Sequence, residues 1–123
     1  MDIEALRTKG FNPTNPRRGS VSGFSLRIGR RATLVPDPEG RVHGVLMDLA
    51  HDEIERLYAE PSVRVYRPEA FIAELDDGSR VAALGFNLPE PPALDERNES
   101  YAERLRALAR RLELPTGYVE SIA

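Results

Sequence analysis

Glu60 is the acid in this chain best placed to do chemistry. It sits where a helix running from Asp52 hands over to Pro61-Ser62 and an expected strand over residues 63–66. Element junctions are where a carboxylate can point into a cleft, and general acid-base work needs one such group with a raised pKa. Simple solvent exposure is the plain alternative. Arg17-Arg18, Arg27 and Arg30-Arg31 make a local basic patch, whose guanidinium forks could hold a carboxylate or phosphate through paired hydrogen bonds. A solvated face is the alternative there, and it is the expectation for Arg104, Arg106, Arg110 and Arg111 on a C-terminal helix. His43 and His51 are the only imidazoles. One lies in an expected strand and one at a helix start, without the companions a metal site requires, so both are expected to be structural. No Gly-x-Ser-x-Gly elbow is present and the glycines never reach phosphate-loop spacing, which argues against hydrolase triads and nucleotide loops.

These groups sit on a chain of 123 residues, enough for a single domain over 1–123 and too short for two. With 41% hydrophobic and 30% charged residues there is apolar material for one core. The 17 basic and 20 acidic side chains leave a net charge of -3, so no overall field draws the chain onto nucleic acid or anionic lipid. Cysteine is absent, which removes disulfides, thiolate zinc sites and a cysteine nucleophile. No run approaches the roughly eighteen apolar residues of a membrane span. Met1-Asp2-Ile3-Glu4 lacks both the basic and the apolar part of a signal peptide. The expectation is a cytoplasmic protein with no membrane and no nucleic-acid partner.

Several elements must position the candidate groups. Residues 3–7 have the spacing of a short amphipathic helix, with Asp2 as its cap and Gly10 as its stop. Asn12-Pro13, Asn15-Pro16, Gly19 and Gly23 mark residues 11–23 as a loop. Phe24, Leu26 and Ile28 alternate with polar residues as a half-buried strand, and Ala32-Thr33-Leu34-Val35 reads as a second. After the turn-rich Pro36-Asp37-Pro38-Glu39-Gly40, residues 42–49 read as a third, in which Gly44 suggests a bulge or close packing. The helix from Asp52 places Ile54, Leu57 and Tyr58 on one face and ends near Pro61. Strands over 63–66 and 70–75 are interrupted by Pro68, and Asp76-Asp77-Gly78 marks a hairpin turn. Residues 81–88 return with Ala82, Leu84, Phe86 and Leu88 expected on one face. Asn98 caps a helix with Tyr101, Leu105, Leu108 and Leu112 as its apolar stripe, and a last short helix starts at Pro115. Short connections and one clear hairpin favour an α+β fold, a mixed, mostly antiparallel sheet or small barrel with flanking helices, over a doubly wound parallel sheet.

Gly23-Phe24-Ser25-Leu26-Arg27-Ile28, Ala32-Thr33-Leu34-Val35-Pro36-Asp37-Pro38 and Val42-His43-Gly44-Val45-Leu46-Met47-Asp48-Leu49 follow one another in a recognisable order. With Leu57-Tyr58-Ala59-Glu60, Tyr66-Arg67 and Asp77-Gly78 after them, they resemble the gamma-glutamylcyclotransferase-like (AIG2-like) family over about residues 20–88. The resemblance implies a small mixed, mostly antiparallel β-barrel with flanking helices around a cavity. It also implies release of 5-oxoproline from gamma-glutamyl amines, without metal or cofactor. In that reaction the substrate's own α-amine attacks its γ-carbonyl, so a protein must hold the folded conformer, remove an ammonium proton and stabilise an oxyanion. Carried onto this sequence, Glu60 is the general acid-base, Tyr66 a hydrogen-bonding group of the pocket, and Arg27 or Arg67 a carboxylate anchor.

Two departures from the family pattern bear on this expectation. The family's Tyr-Gly-Ser-Asn loop, whose backbone amides bind substrate, does not stand ahead of the first helix here, so either the start at Met1 is assigned too late or the loop is lost. Leu57-Tyr58-Ala59-Glu60 is one residue shorter than the family's Leu-Asp-x-x-Glu and has Tyr58 at the Asp position, which keeps Glu53 and Glu55 as alternatives. Without the strand that carries the loop, a sheet edge is left to be covered by residues 11–23 or paired with a second copy, making a homodimer. Two other functions stand beside the enzyme: a non-catalytic domain of the same fold that binds a small metabolite, and an interaction module using the sheet edge and the C-terminal apolar stripe.

Overall fold

The computed structural model describes residues 3–61 and 63–123. The first helix, α1 (Ile3–Thr8), ends where Gly10 takes φ +90°. There the Phe11 N–H donates to the Leu6 carbonyl and the Gly10 N–H to that of Arg7, both at 3.0 Å. This crossed pair closes the helix, and Phe11 packs with Leu6 in the core, as such caps favour. The expected Asp2 cap lies outside the described residues.

Two long strands follow, β1 (Thr14–Ile28) and β2 (Ala32–Asp48), then α2 (His51–Ala59), the hairpin β3 (Arg67–Leu75) and β4 (Arg80–Asn87), and the helices α3 (Glu99–Arg111) and α4 (Thr116–Ser121). The strands form one antiparallel sheet in the order β2-β1-β3-β4. The α+β class and its flanking helices are those expected. Closure into a barrel is not: the sheet is open, with β2 and β4 at its edges. Among the described residues the edges meet around the side chain of Asn87. Its Oδ1 accepts from the Leu34 N–H at 3.0 Å and the Thr33 hydroxyl at 3.3 Å, and Thr33 Oγ1 accepts from the Leu88 N–H at 2.9 Å. A side-chain clasp stands where a barrel would have a ladder.

The expected loop over 11–23 is corrected too. From Thr14 onward these residues belong to β1, an inner strand bonded to β2 along its length and to β3 at Gly19 and Ser20. They therefore cover no edge. Proline and glycine punctuate irregularities within the strand instead of ending it. Pro16 falls in the register shift between Thr14 and Arg17, and Gly23, at φ +88°, stands opposite Asp37, Pro38, Glu39 and Gly40 of β2. The turn-rich segment is thus a bulge in a continuous strand. The Asp37 carboxylate organises it, accepting from the Ser25 hydroxyl and from the Glu39 N–H at 3.1 Å, and these bonds hold its pKa below the ordinary carboxylate value. Gly40 lies against the Phe24 carbonyl, whereas Gly44, the expected bulge, has open space around it.

Residues 63–66 form turns, not a strand. The Val63 and Arg64 N–H groups donate to the Glu60 carbonyl and that of Tyr66 to Val63, so the chain coils once more before β3 begins at Arg67. Pro68 is accommodated because β1 meets β3 only at its far end. The hairpin turn is as expected, with Gly78 at φ +84° and Asp77 accepting from the Ser79 N–H at 2.9 Å. β4 is used on both faces: Phe86 of the expected face packs against the Leu6 and Leu57 cluster, but most of the inward residues lie on the other face. Phe71 and Ala73 are buried and stand opposite Ala83 and Val81, so these two point inward with Asn87, while Ala82 is exposed and Leu84 is 51% exposed. A one-residue difference in register exchanges the faces of a strand.

Two clusters make the core. Ala102, Ala109, Leu114, Val119 and Ile122 of the C-terminal helical region pack on Ile28, joined by Tyr101, Leu105 and Leu112. Three residues of the α3 stripe thus pack within the chain, whereas Leu108 is outside this cluster. The second cluster joins Leu6, Phe11, Leu57 and Val63 with Phe86, placing α1 and α2 against the other part of the sheet.

Candidate functional site

Glu60 is the C-cap of α2, with its side chain 28% exposed. Its backbone is used fully: the N–H donates to the Leu57 carbonyl at 3.1 Å, and its own carbonyl takes the Val63 N–H at 2.9 Å. These bonds set the direction in which the carboxylate leaves the helix. It faces the Lys9 ammonium, Nζ to Oε2 3.5 Å, just past the end of α1. Glu53 is committed elsewhere. Its two oxygens accept from the Asn12 N–H at 2.5 Å and the Ala50 N–H at 3.4 Å, tying the entry to β1 to the start of α2. Glu55 is exposed. Of the three acids, Glu60 alone combines partial burial with no bond from a backbone amide to its side chain, among the described residues.

Tyr66 is half-buried, and its hydroxyl donates to the Ala32 carbonyl at 2.9 Å, linking the turn before β3 to the first residue of β2. Burial pushes its phenol above the ordinary tyrosine pKa, with Tyr101 adding to the rise and Arg31 opposing it. Arg67 opens β3 opposite Asn87, and Arg27 stands in β1 opposite Thr33. Residues directly opposite in an antiparallel pair share a face. Arg27, Thr33, Asn87 and Arg67 are therefore linked in series across the seam where the sheet edges meet, and Tyr66 bonds beside them. Glu60 reaches this neighbourhood only through the turn that leads to Tyr66. Neither of two concavities, of about 590 and 310 Å³, is lined by Glu60, Tyr66, Arg67 or Arg27.

The seam holds polar residues that sequence reasoning passed over. Thr33 and Asn87 are both buried, and the Asn87 amide donates to the Glu69 carboxylate. An asparagine ending an otherwise apolar strand is the available signal, and it lies on the face opposite Ala82, Leu84 and Phe86. The His43 ring meets Tyr118 edge-on at 5.1 Å. Among the described residues no group of three or more His, Cys, Asp or Glu is placed to hold a metal, and no helix is long and apolar enough to cross a membrane.

The open four-stranded antiparallel sheet with flanking helices is the fold of gamma-glutamyl cyclotransferase-like proteins. The structure is similar to that of gamma-glutamyl cyclotransferase, with a TM-score of 0.80 at 15% identity, covering 97% of this chain and 78% of that one. An uncharacterized protein from Homo sapiens gives 0.79 at 16% identity, covering 97% of this chain and 77% of that one. A protein from Arabidopsis thaliana gives 0.66 at 20% identity, covering 94% of this chain and 88% of that one. No protein-family model and no curated protein matches the sequence. The resemblance first seen over residues 20–88 thus extends, as a fold, over nearly the whole chain. At such identities it is a statement about fold, and function must be argued from the site.

Proposed function

We propose that this protein is a cytoplasmic gamma-glutamylcyclotransferase-like enzyme that binds a small amine- or carboxylate-bearing metabolite and releases 5-oxoproline from gamma-glutamyl amines. The observation that carries this reading is the fold likeness to gamma-glutamyl cyclotransferase over 97% of the chain. The substrate's α-nitrogen bonds to its γ-carbonyl carbon and the carbon–nitrogen bond to the departing amine breaks; of the three protons on the α-ammonium one stays on the lactam nitrogen and two pass through Glu60 to the departing nitrogen, which leaves as an ammonium. No metal or cofactor enters this balance. Glu60 already faces an ammonium, that of Lys9 at 3.5 Å, the arrangement a substrate's α-ammonium needs. An exposed pair of this kind is worth about 0–1 kcal/mol, so a substrate can displace Lys9. The Tyr66 hydroxyl donates a hydrogen bond to the Ala32 carbonyl, and its oxygen remains able to accept. Arg27 and Arg67 supply forks for the substrate carboxylate.

The test measures 5-oxoproline released from several gamma-glutamyl amines by the wild type and by Glu60→Gln. A loss of about 100-fold or more is expected for a general acid-base. Equal rates remove Glu60 from the mechanism. The second reading is a non-catalytic metabolite-binding domain of the same fold. It is favoured by the partners Glu60 and Tyr66 already have and by the absence of both from the two concavities. Ligand-induced amide shifts at Arg27 and Arg67 with no 5-oxoproline formed would decide for it. Under either reading the free length of β4 is a place for two copies to pair, and a monomeric mass by light scattering would reject that homodimer.

A further inference from the structure

We infer that the groove between α1, the start of β1 and α3 binds a small organic anion, a molecule with a carboxylate, sulfonate or phosphate head on an apolar body. The groove encloses about 590 Å³, within the range of about 300–1,000 Å³ usual for small-molecule sites. Four arginines from three elements line it: Arg7 of α1, Arg17 and Arg18 of β1, and Arg111 in the last turn of α3. Only two acids, Glu4 and Asp76, are among its lining. On a chain whose net charge is -3, this is a local reversal of sign. Ile3, Val45, Leu108 and Leu112 supply the apolar part of the lining. A merely solvated arginine face would have no such apolar lining, and an inorganic anion would have no use for it.

The present ion pairs leave the arginines available. Arg7 meets Glu4 at 3.3 Å, Arg17 meets Asp48 at 3.4 Å and Arg18 meets Asp76 at 3.1 Å, with every acid at least half exposed. Such pairs exchange readily for a ligand that brings its own charge and covers apolar surface. The Arg111 side chain makes no hydrogen bond or ion pair with any described residue. The groove shares no residue with Glu60, Tyr66, Arg67 or Arg27, so this site is independent of the proposed catalytic one. Of the basic patch seen in the sequence it uses Arg17-Arg18 and leaves Arg27 and Arg30-Arg31 aside.

The probes are 8-anilinonaphthalene-1-sulfonate, its uncharged counterpart N-phenyl-1-naphthylamine, and inorganic phosphate. Fluorescence titration should show the sulfonate binding the wild type, with affinity falling ~10-fold in Arg111→Glu and ~3-fold in Arg111→Gln, and falling as salt is raised. The uncharged dye should bind more weakly and be indifferent to both variants. Phosphate should displace the sulfonate only at concentrations ~10-fold or more above it, because it leaves the apolar lining uncovered. Amide shifts induced by the sulfonate should centre on Val45, Leu108 and Arg111. Equal urea midpoints would show that the variants keep the fold. No sulfonate binding, unchanged affinity in both variants, phosphate binding as tightly as the sulfonate, or shifts centred on exposed Ile72 and Leu84 would each overturn the inference.

Discussion

Cutting the Asn87 clasp should cost far more than one surface hydrogen bond. In Asn87→Ala the Leu34 N–H, which points off the outer edge of β2, loses its acceptor at 3.0 Å. An unsatisfied donor of this kind costs about 1–3 kcal/mol. The Thr33 hydroxyl keeps the Leu88 N–H at 2.9 Å but loses Asn87 as its own acceptor at 3.3 Å, about 0.5–1.5 kcal/mol more. The bond to Glu69 is discounted because Glu69 is exposed. Together these make about 2–4 kcal/mol, a large share of the 5–15 kcal/mol typical of a whole domain, and a fall in Tm on the order of 10 °C. Urea unfolding should show a lower midpoint with an unchanged m value, and hydrogen exchange should accelerate at the Leu34 amide first. In a double-mutant cycle with Thr33→Val the two changes should couple by about 1 kcal/mol. A loss under about 0.5 kcal/mol with Leu34 still protected would mean that packing, not the clasp, holds the two edges together.

Other outcomes follow from equally local features. Gly85→Ala brings a Cβ to 2.6 Å from the Phe71 ring on the inner face of β4, and overpacking there should cost about 1–3 kcal/mol in urea; a neutral effect would show that Phe71 can move aside. Glu113 closes α3 at φ 58°, so Glu113→Gly should stabilise by about 0.5–1 kcal/mol. Its distant pair with Arg18, at 3.9 Å and mostly exposed, offsets little, and a lower midpoint would contradict this account. The pKa of His43 is depressed, first by burial and then by Arg41, with Asp76 opposing. The unfolded chain therefore binds the proton more tightly. Stability is complete above about pH 6.5 and declines as pH falls through the lowered folded value, a slope that His43→Phe should flatten. Tyr66 and Tyr118 are both raised by burial, so their ultraviolet titration should lag behind free tyrosine and stability should fall as pH climbs past about 10; ionisation of both at the ordinary value would refute their burial.

Chain-local signals were the legible ones. Gly10 ended α1, Asp77-Gly78 made the hairpin, Asn98 capped α3 by accepting from the Tyr101 N–H at 3.1 Å, and most of the α3 stripe found the core. Each rests on interactions within a few residues, where spacing and residue type are sufficient. The misreadings share an opposite cause. Pro16, Gly23 and the segment 36–40 carry the chemistry of loops, yet two long strands paired across them and turned each interruption into a bulge. Arg106, taken for a solubilising charge, donates instead to the Ile122 carbonyl at 2.6 Å. That contact exists only because α4 folds back beside α3.

Helix faces, helix ends, the tight turn and the lack of any thiol chemistry were properties of the sequence alone, because backbone geometry and side-chain type determine them within one or two turns of chain. Tertiary structure decided the rest: which face of β4 holds most of its inward residues, that the edges meet at Asn87 without closing, that Glu60 meets Lys9, and that four arginines gather with apolar residues around one groove. Strand register and the approach of elements distant in sequence depend on how the whole apolar surface is buried at once, and a single residue of slip moves every side chain of a strand to the other face.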